Sequence, residues 1–464
     1  MSRPKKKPKC EARTLIQKAH KYLAEPTGLQ EYRMENWFGS LRHLSNESIA
    51  ERKDAYRAAA KGLTYTEQQN ALPAKRKQDP ALRMVHSQVT QDCLQRVEKA
   101  FQKFFDDVKA KKSGIKVKIG YPRFKKLDRY KSFTFPQVWM TVNDKKTGTT
   151  KRLEIVRFRP VTKSMPSGRV KFAYLGLPGI GDLKIRLHRP IDWDTAKTVT
   201  VKRSPSGKWS VSITVEKPLS PTLTDNGTKS GVDLGLKKHV AMSDDSYVQY
   251  PNFLKQSEDK LKHQQRSLSG KKKGSLNYQN QNVVLAKTHE HIANQRRDFL
   301  HKLSLLIVVT YAYVAFEKLN IPGMVKNHNL AKAILDSGWG TLIRFVTYKS
   351  VMLRGNQTVT VNPAYTTQDC SRCGYRVPKT LADRVHKCPQ CGLVLDRDTN
   401  AARNVEQRAF GEVAAYADDV NANLKVGMVC PELTPVEMEA SAAPAFAVSS
   451  VVEAWKPQLK SHLS

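Results

Sequence analysis

GVDLGLKKHVAMS, residues 231–243, marks the point where the chain changes character. Val232 and Leu234 flank Asp233, a pattern that suits a buried strand edge and sets a carboxylate among apolar neighbours. A lone charge is costly there. Two more acids sit similarly, Glu317 in AFEKL and Asp398 in LDRDTNAARN. Brought together, three such acids would repel unless a cation held them, and carboxylate oxygens prefer hard cations such as Mg2+. Pattern alone does not show that they converge. Each can also be read as a surface or capping acid, and Asp398 can cap the helix TNAARNVEQRAF.

Between the first two acids, Leu254, Leu261 and Leu268 recur seven apart, as do Leu285, Ile292 and Phe299. A basic turn, SGKKKGS, separates the two series, and the second runs into the strand-like YVAFEKL. The spacing predicts a helical hairpin between two strands of one sheet. Before the third acid lies CSRCG…CPQCG, in which Cys370, Cys373, Cys388 and Cys391 form C-x2-C-x14-C-x2-C. Four thiolates on two tight knuckles can close a tetrahedral shell around one zinc ion, and a four-cysteine shell is structural rather than catalytic. The middle gap is one residue shorter than is usual for such sites. Gly374 and Gly392 follow the pairs, as tight knuckles favour. Cys10, Cys93 and Cys430 lack this spacing, and Cys93 reads as an inert core thiol.

Upstream, Val89, Cys93, Val97, Phe101 and Phe104 form an amphipathic stripe, and residues 12–112 read as mostly helical. From Gly114 the period becomes two. Phe133 and Phe135 alternate, as do Val199 and Val201, and after the turn SPSG so do Trp209, Val211, Ile213 and Val215. That predicts a β-rich region, a small barrel. In GYPRFKK, Tyr121 and Phe124 can stack on bases while Arg123, Lys125 and Lys126 take phosphates, or the segment is only a core turn.

The 464 residues carry 79 Lys and Arg against 42 Asp and Glu, a net charge of +37. Self-repulsion on that scale argues for a polyanionic partner and against most enzymes of small metabolites. The longest apolar run, LLIVVTYAYVAF at Leu305–Phe316, is too short for a membrane span of roughly 20 residues. No apolar run follows the basic MSRPKKKPK, so the expectation is a cytoplasmic protein without a secretion signal. HEH at His289–His291 lacks the spacing of a zinc protease.

GVDLGLK, AFEKLNI and LDRDTNAARNV resemble the three split motifs of a RuvC-type nuclease domain, an RNase H-like fold. With a four-cysteine insert before the third motif, the arrangement is similar to the transposon-encoded TnpB family, relatives of compact type V CRISPR effectors. LTYTEQQNALP, SQVTQDCLQRVEKAFQKFF, GYPRFKK, KSFTF, GMVKNHNLAKAILDSGWG and VNPAYTTQDCSRCG extend the likeness over about residues 12–425. One departure is Lys318, where many relatives carry a second acid.

The resemblance implies a multidomain α+β protein. Its expected parts are a basic arm at 1–11 that begins the wedge domain, a helical recognition domain at 12–112 and a β-rich wedge at 113–218. The RuvC α/β nuclease would span 219–365 and 394–426, split by a four-cysteine zinc domain at 366–393, and 427–464 would be a disordered tail. It also implies an RNA-guided endonuclease that binds a guide RNA from its transposon end and cuts double-stranded target DNA beside a short adjacent motif. Asp233, Glu317 and Asp398 match the family's metal acids, with two Mg2+ ions for catalysis and one Zn2+ for structure. A monomer is expected. The neighbouring readings are a nuclease-inactive RNA-guided DNA-binding regulator, which would lack some of these acids, and a CRISPR effector. A DDE transposase would share the fold but not the zinc insert or the N-terminal half.

Overall fold

Alternating burial makes Leu15–Glu25 (β1) a strand, with His20, Tyr22 and Ala24 turned inward. The expectation that residues 12–112 are mostly helical is therefore corrected at its start. The two-residue period is carried there by a histidine, a tyrosine and an alanine rather than by β-branched residues. The computed structural model describes residues 15–143, 150–161, 171–380, 382–411 and 429–430. The basic arm at 1–11, Cys10 and nearly all of the tail at 427–464 lie outside the described residues.

Residues 17–216 form one compact unit, and those from Lys217 onward belong to a second. In the first, helices Gly28–Ala59 (α1), Tyr65–Gln78 (α2), Pro80–Arg83 (α3) and Ser87–Lys112 (α4) follow β1. Thr27 with Gln30, and Thr64 with Glu67, close reciprocal capping boxes that start α1 and α2. Val89, Cys93, Val97 and Phe101 of α4 are buried as the stripe predicts. The Cys93 thiol is pushed up to about 11 by burial, which leaves it unreactive.

Strands Ser132–Phe135 (β2), Trp139–Asn143 (β3), Thr150–Glu154 (β4), Arg157–Val161 (β5), Lys171–Leu177 (β6), Gly181–Leu187 (β7), Ala196–Arg203 (β8) and Trp209–Pro218 (β9) come next. The main sheet runs β2-β8-β9-β1-β7-β6-β5, while β3 and β4 pair separately. Phe133 faces Val201 and Phe135 faces Val199 across β2 and β8. One hydrophobic core serves both helices and sheet. Trp37 of α1 meets the Phe133 ring edge-on at 5.2 Å, and Phe38 stacks on Trp209 at 5.7 Å. The expected boundary between residues 112 and 113 thus separates elements that share a core.

The second unit centres on a five-stranded sheet. Its strands are Lys229–Asp233 (β10), Val240–Met242 (β11), Tyr247–Val248 (β12), Tyr313–Glu317 (β13) and Val359–Val361 (β14), in the order β12-β11-β10-β13-β14. β10 pairs parallel with β13, and β13 with β14. The connection from β12 to β13 contains Phe253–Gln256 (α5), Glu258–Ser269 (α6) and the 35-residue Leu276–Thr310 (α7), the helical hairpin that the seven-residue spacing predicts, except that Leu254 falls in α5, outside the first long helix. Ile321–Met324 (α8), His328–Ser337 (α9) and Trp339–Arg354 (α10) lead to β14. Phe299, Leu303 and Ile307 of α7 pack with Leu342, Phe345 and Val346 of α10 over Val232, Val314 and Phe316 of the sheet. A two-stranded ribbon, Val385–Lys387 (β15) and Val394–Asp396 (β16), precedes Arg397–Phe410 (α11), which packs on β10.

Candidate functional site

Asp233 and Glu317 are the last residues of β10 and β13, which lie side by side with Val232 opposite Phe316. Both carboxylates therefore stand at the carboxyl ends of parallel strands, where open α/β sheets bind ligands. Asp398 joins them from the first turn of α11. It does not cap that helix. Asp396 does, accepting from the amides of Asp398 at 3.0 Å and Thr399 at 3.2 Å, which leaves the Asp398 carboxylate for other work.

Gly231 lets α11 come this close. A Cβ built there would overlap the carbonyl oxygen of Ala402 and the amide nitrogen of Glu406, and would sit 3.0 Å from Glu406 Cα. Only a residue without a side chain fits between β10 and the helix.

Asp233 lies close enough to the other two acids to feel their charge. Burial, then the charges of Glu317 and Asp398, push the Asp233 carboxyl well above the usual range, while Arg397 opposes the shift. Burial also raises Glu317, against a hydrogen bond from Thr366 Oγ1 at 2.5 Å and the charge of Arg408. Arg397 contacts Asp398 at 3.2 Å and donates to the Asp383 carbonyl at 3.0 Å. Crowded carboxylates in so poorly solvated a place would ionise together only if positive charge compensated them. Lys318, next in sequence to Glu317, is exposed.

The four cysteine sulfurs lie within 4.8 Å of one another. Cys370 and Cys391 sulfurs are 3.6 Å apart, and those of Cys373 and Cys388 3.5 Å. A metal–sulfur bond of about 2.3 Å in a tetrahedron requires a separation of about 3.8 Å, so the group could hold a metal ion. The two knuckles match. The Gly374 amide donates to Cys370 O and the Gly392 amide to Cys388 O, at 2.9 and 3.0 Å, with φ of 76° and 71° at the glycines. Although burial opposes it, the backbone of Cys391, the Cys373 thiol and the backbone of Gln390 hold the Cys388 thiol down to about 7.

A polar face of α11 ties this knuckle to the acids. Asn400 Oδ1 accepts from the Ser371 amide at 3.0 Å, and its Nδ2 donates to Asp369 O at 2.8 Å. Asn404 Nδ2 donates to Thr366 O and Asp369 O, and Gln407 to Ser371 O at 2.8 Å. Motif reading missed Thr366, Asn400, Asn404 and Gln407. The recurrence of amides at i, i+4 and i+7 on the helix after the last cysteine was the available signal.

The five candidate nucleic-acid residues separate into two groups. Tyr121 packs edge-on against Phe101 and Phe104 at 5.6 and 5.2 Å. Lys125 places its ammonium 4.8 Å from the Tyr130 ring, and its backbone pairs with the Asn46 side chain. Arg123, Phe124 and Lys126 are exposed.

Sequence comparison agrees with this architecture. The profile described as "Probable transposase" matches residues 210–328, and that described as "Cas12f1-like, TNB domain" matches 339–405. A "Helix-turn-helix domain" profile matches 15–61, which here is a strand followed by one long helix. The "Putative RNA-guided DNA endonuclease InsQ" of Escherichia coli K12 is 28% identical over 410 residues, 83% of this chain and 91% of that protein. A "Putative RNA-guided DNA endonuclease" of Streptomyces pristinaespiralis is 29% identical over 84% of this chain and 89% of its own length. Mimivirus "TnpB-like protein L79" is 32% identical over 144 residues, 30% of this chain and 26% of that one. Among solved structures, a Cas12f1 chain in complex with sgRNA and target DNA superposes with a TM-score of 0.51 at 14% identity, over 81% of this chain and 82% of its own. The fold is thus that of the Cas12f-like α+β class. In sequence the chain resembles the TnpB-like proteins and putative RNA-guided DNA endonucleases that it matches.

Proposed function

We propose that this chain is an RNA-guided double-stranded DNA endonuclease of a transposable element, cutting beside a short adjacent motif at a single RuvC-type site. The observation that carries the reading is the convergence of Asp233, Glu317 and Asp398, each exerting or feeling the charge of another, at the ends of two parallel strands and one helix. The names of its full-length relatives support the guided-endonuclease activity. The charge of +37 supports guide RNA and target DNA as partners.

Asp233, Glu317 and Asp398 would hold two Mg2+ ions. When bound, such ions lower the pKa of an attacking water and stabilise the leaving 3′ oxygen of the scissile phosphate. The chain's own part is placement. β10 and β13 fix two carboxylates in register, Asp396 takes the capping bonds that Asp398 would otherwise accept, Arg397 holds Asp398 at 3.2 Å, and Thr366 orients Glu317 through its hydroxyl. The four cysteines would hold one structural Zn2+, the ion best suited to a closed thiolate shell. No helix among the described residues is long and apolar enough to cross a membrane.

The test separates binding from cutting. With a guide-programmed plasmid carrying an adjacent-motif library, Asp233→Ala should abolish cleavage of both strands while target binding persists. Retained nicking of one strand would reveal a second nuclease site and end the single-site reading. A wild type that binds the programmed target yet never cuts it, across metals and motifs, would make the protein a guided regulator instead.

A further inference from the structure

Within the helical part of the first unit, α1, α4 and the segment that follows α4 enclose a cavity of about 500 Å3. Its walls include Arg52, Lys53 and Tyr56 of α1, Phe104 and Phe105 of α4, and Tyr121. Three of the aromatics are left open: Tyr56 is 64% exposed, Phe105 54% and Tyr121 43%. Open rings gathered around one cavity and rimmed by polar groups are a mark of an interaction site.

The rings are held in place. Phe104 meets Tyr121 edge-on at 5.2 Å and Phe105 at 59°, and Phe101 beneath carries the Arg52 guanidinium 4.9 Å from its centroid. Arg52 is fixed in turn by Glu98 at 2.7 Å. Lys53 and Arg57 reach the rim, and the described lining contains no acid.

We propose that this cavity captures an unpaired nucleobase of the guide RNA, with the base against Tyr56, Phe105 and Tyr121 and its phosphate against Lys53 and Arg57. The volume falls in the range of roughly 300–1,000 Å3 seen for small-ligand pockets. An aromatic floor with a cationic rim matches a splayed nucleotide, apolar on its faces and anionic at its phosphate. RNA is the occupant because its loops and bulges present unstacked bases that aromatic rings can take up, and the displaced DNA strand, which is also unpaired, is the alternative that the crosslinking test distinguishes. The inference rests on the reading of the chain as RNA-guided and adds a place and a chemistry to it.

The test uses the full chain with its copurified guide RNA. Replacing Phe105 with photoreactive benzoylphenylalanine and irradiating should crosslink the RNA. Crosslinks to a DNA strand, to a second copy, or to residues 412–464 of the same chain would overturn the proposal. In parallel, the double variant Tyr56→Ala/Phe105→Ala should raise the Kd for guide RNA about tenfold or more. The salt slope should stay unchanged, because stacking releases no counterions, and the melting temperature should stay within a degree or two. Phe105→Trp should retain affinity. A wild type that binds RNA tightly while the double variant binds equally well defeats the pocket alone. A wild type that binds no RNA defeats the guided-endonuclease reading along with it.

Discussion

The side-chain amide of Asn404 donates to the backbone carbonyl of Asp369, 2.6 Å away, the residue immediately before the first cysteine of the knuckle. The helix that presents Asp398 is thereby fastened to the four-cysteine loop, with Asn400 and Gln407 repeating the attachment on either side. Whatever orders the cysteines also orders the third acid.

Cys370→Ser should therefore impair cutting without touching an acid. Metal analysis of the wild type should find close to one zinc per chain, and the variant clearly less. Cleavage should fall about 100-fold if Asp398 shifts by about 1 Å. Wild-type protein that is zinc-free and fully active would refute the assignment.

Gly231→Ala should be as damaging to cleavage as loss of a ligand, since the added methyl must displace backbone of α11 rather than a flexible side chain. A decrease of about 100-fold is expected, with guide RNA binding retained. Gly39→Ala, inside α1 with open space around it, is the control and should be stabilising by about 0.5–1 kcal/mol. Calorimetry and a plasmid cleavage assay on both variants decide the matter.

Stability of the metal-free protein should fall as pH rises. Asp233 and Glu317 are raised above the usual carboxylate range in the folded state, first by burial. The folded chain therefore holds their protons more tightly than the unfolded one. Their relative stabilisation is complete below a pH of about 4 and is lost as pH climbs through the raised folded values. Melting temperatures in a chelator, from about pH 5 to about pH 8, should decline for wild type and flatten for Asp233→Asn. Added Mg2+ should restore the wild type and leave the variant largely unaffected. A wild-type curve as flat as that of Asp233→Asn would contradict this.

Exposed cations after α4 should set part of the RNA affinity. Reversing Arg123 and Lys126 to Glu should weaken guide RNA binding and flatten the slope of log K against log salt by roughly 0.7–0.9 per lost phosphate contact. Reversing Lys125 should act differently. Its ammonium lies over Tyr130, so Lys125→Glu should lower the melting temperature as well. Unchanged slopes for the first pair would remove this segment from the RNA surface.

Much of the second unit was legible from pattern. Apolar residues seven apart gave α6 and α7 but not the break that leaves Leu254 in α5, the CxxC pairs gave the knuckles, and apolar neighbours marked Asp233 and Glu317 as interior acids. Asp398 was harder to read, because a capping acid and a site acid look alike until it is known which of two aspartates two residues apart accepts the helix amides. β1 escaped because its inward side chains, His20, Tyr22 and Ala24, are not strong strand formers as a set. The shared core of helices and sheet in the first unit escaped for another reason: Trp37 and Phe133 lie far apart in the chain, and periodicity reports which face is apolar, not what it will meet.

The distance between Asp233 and Glu317 is set by ladder pairing of β10 with β13, and the 80-odd residues of chain between them leave the sheet and return to it. The excursion turns at Lys271–Gly274, where the lysines are largely exposed. Chain length at that turn is consequently uncoupled from the chemistry. A reporter or an effector module spliced into the SGKKKGS turn would lengthen the detour while leaving the two carboxylates in the same register, which makes the turn a natural grafting point for tailored versions of the enzyme.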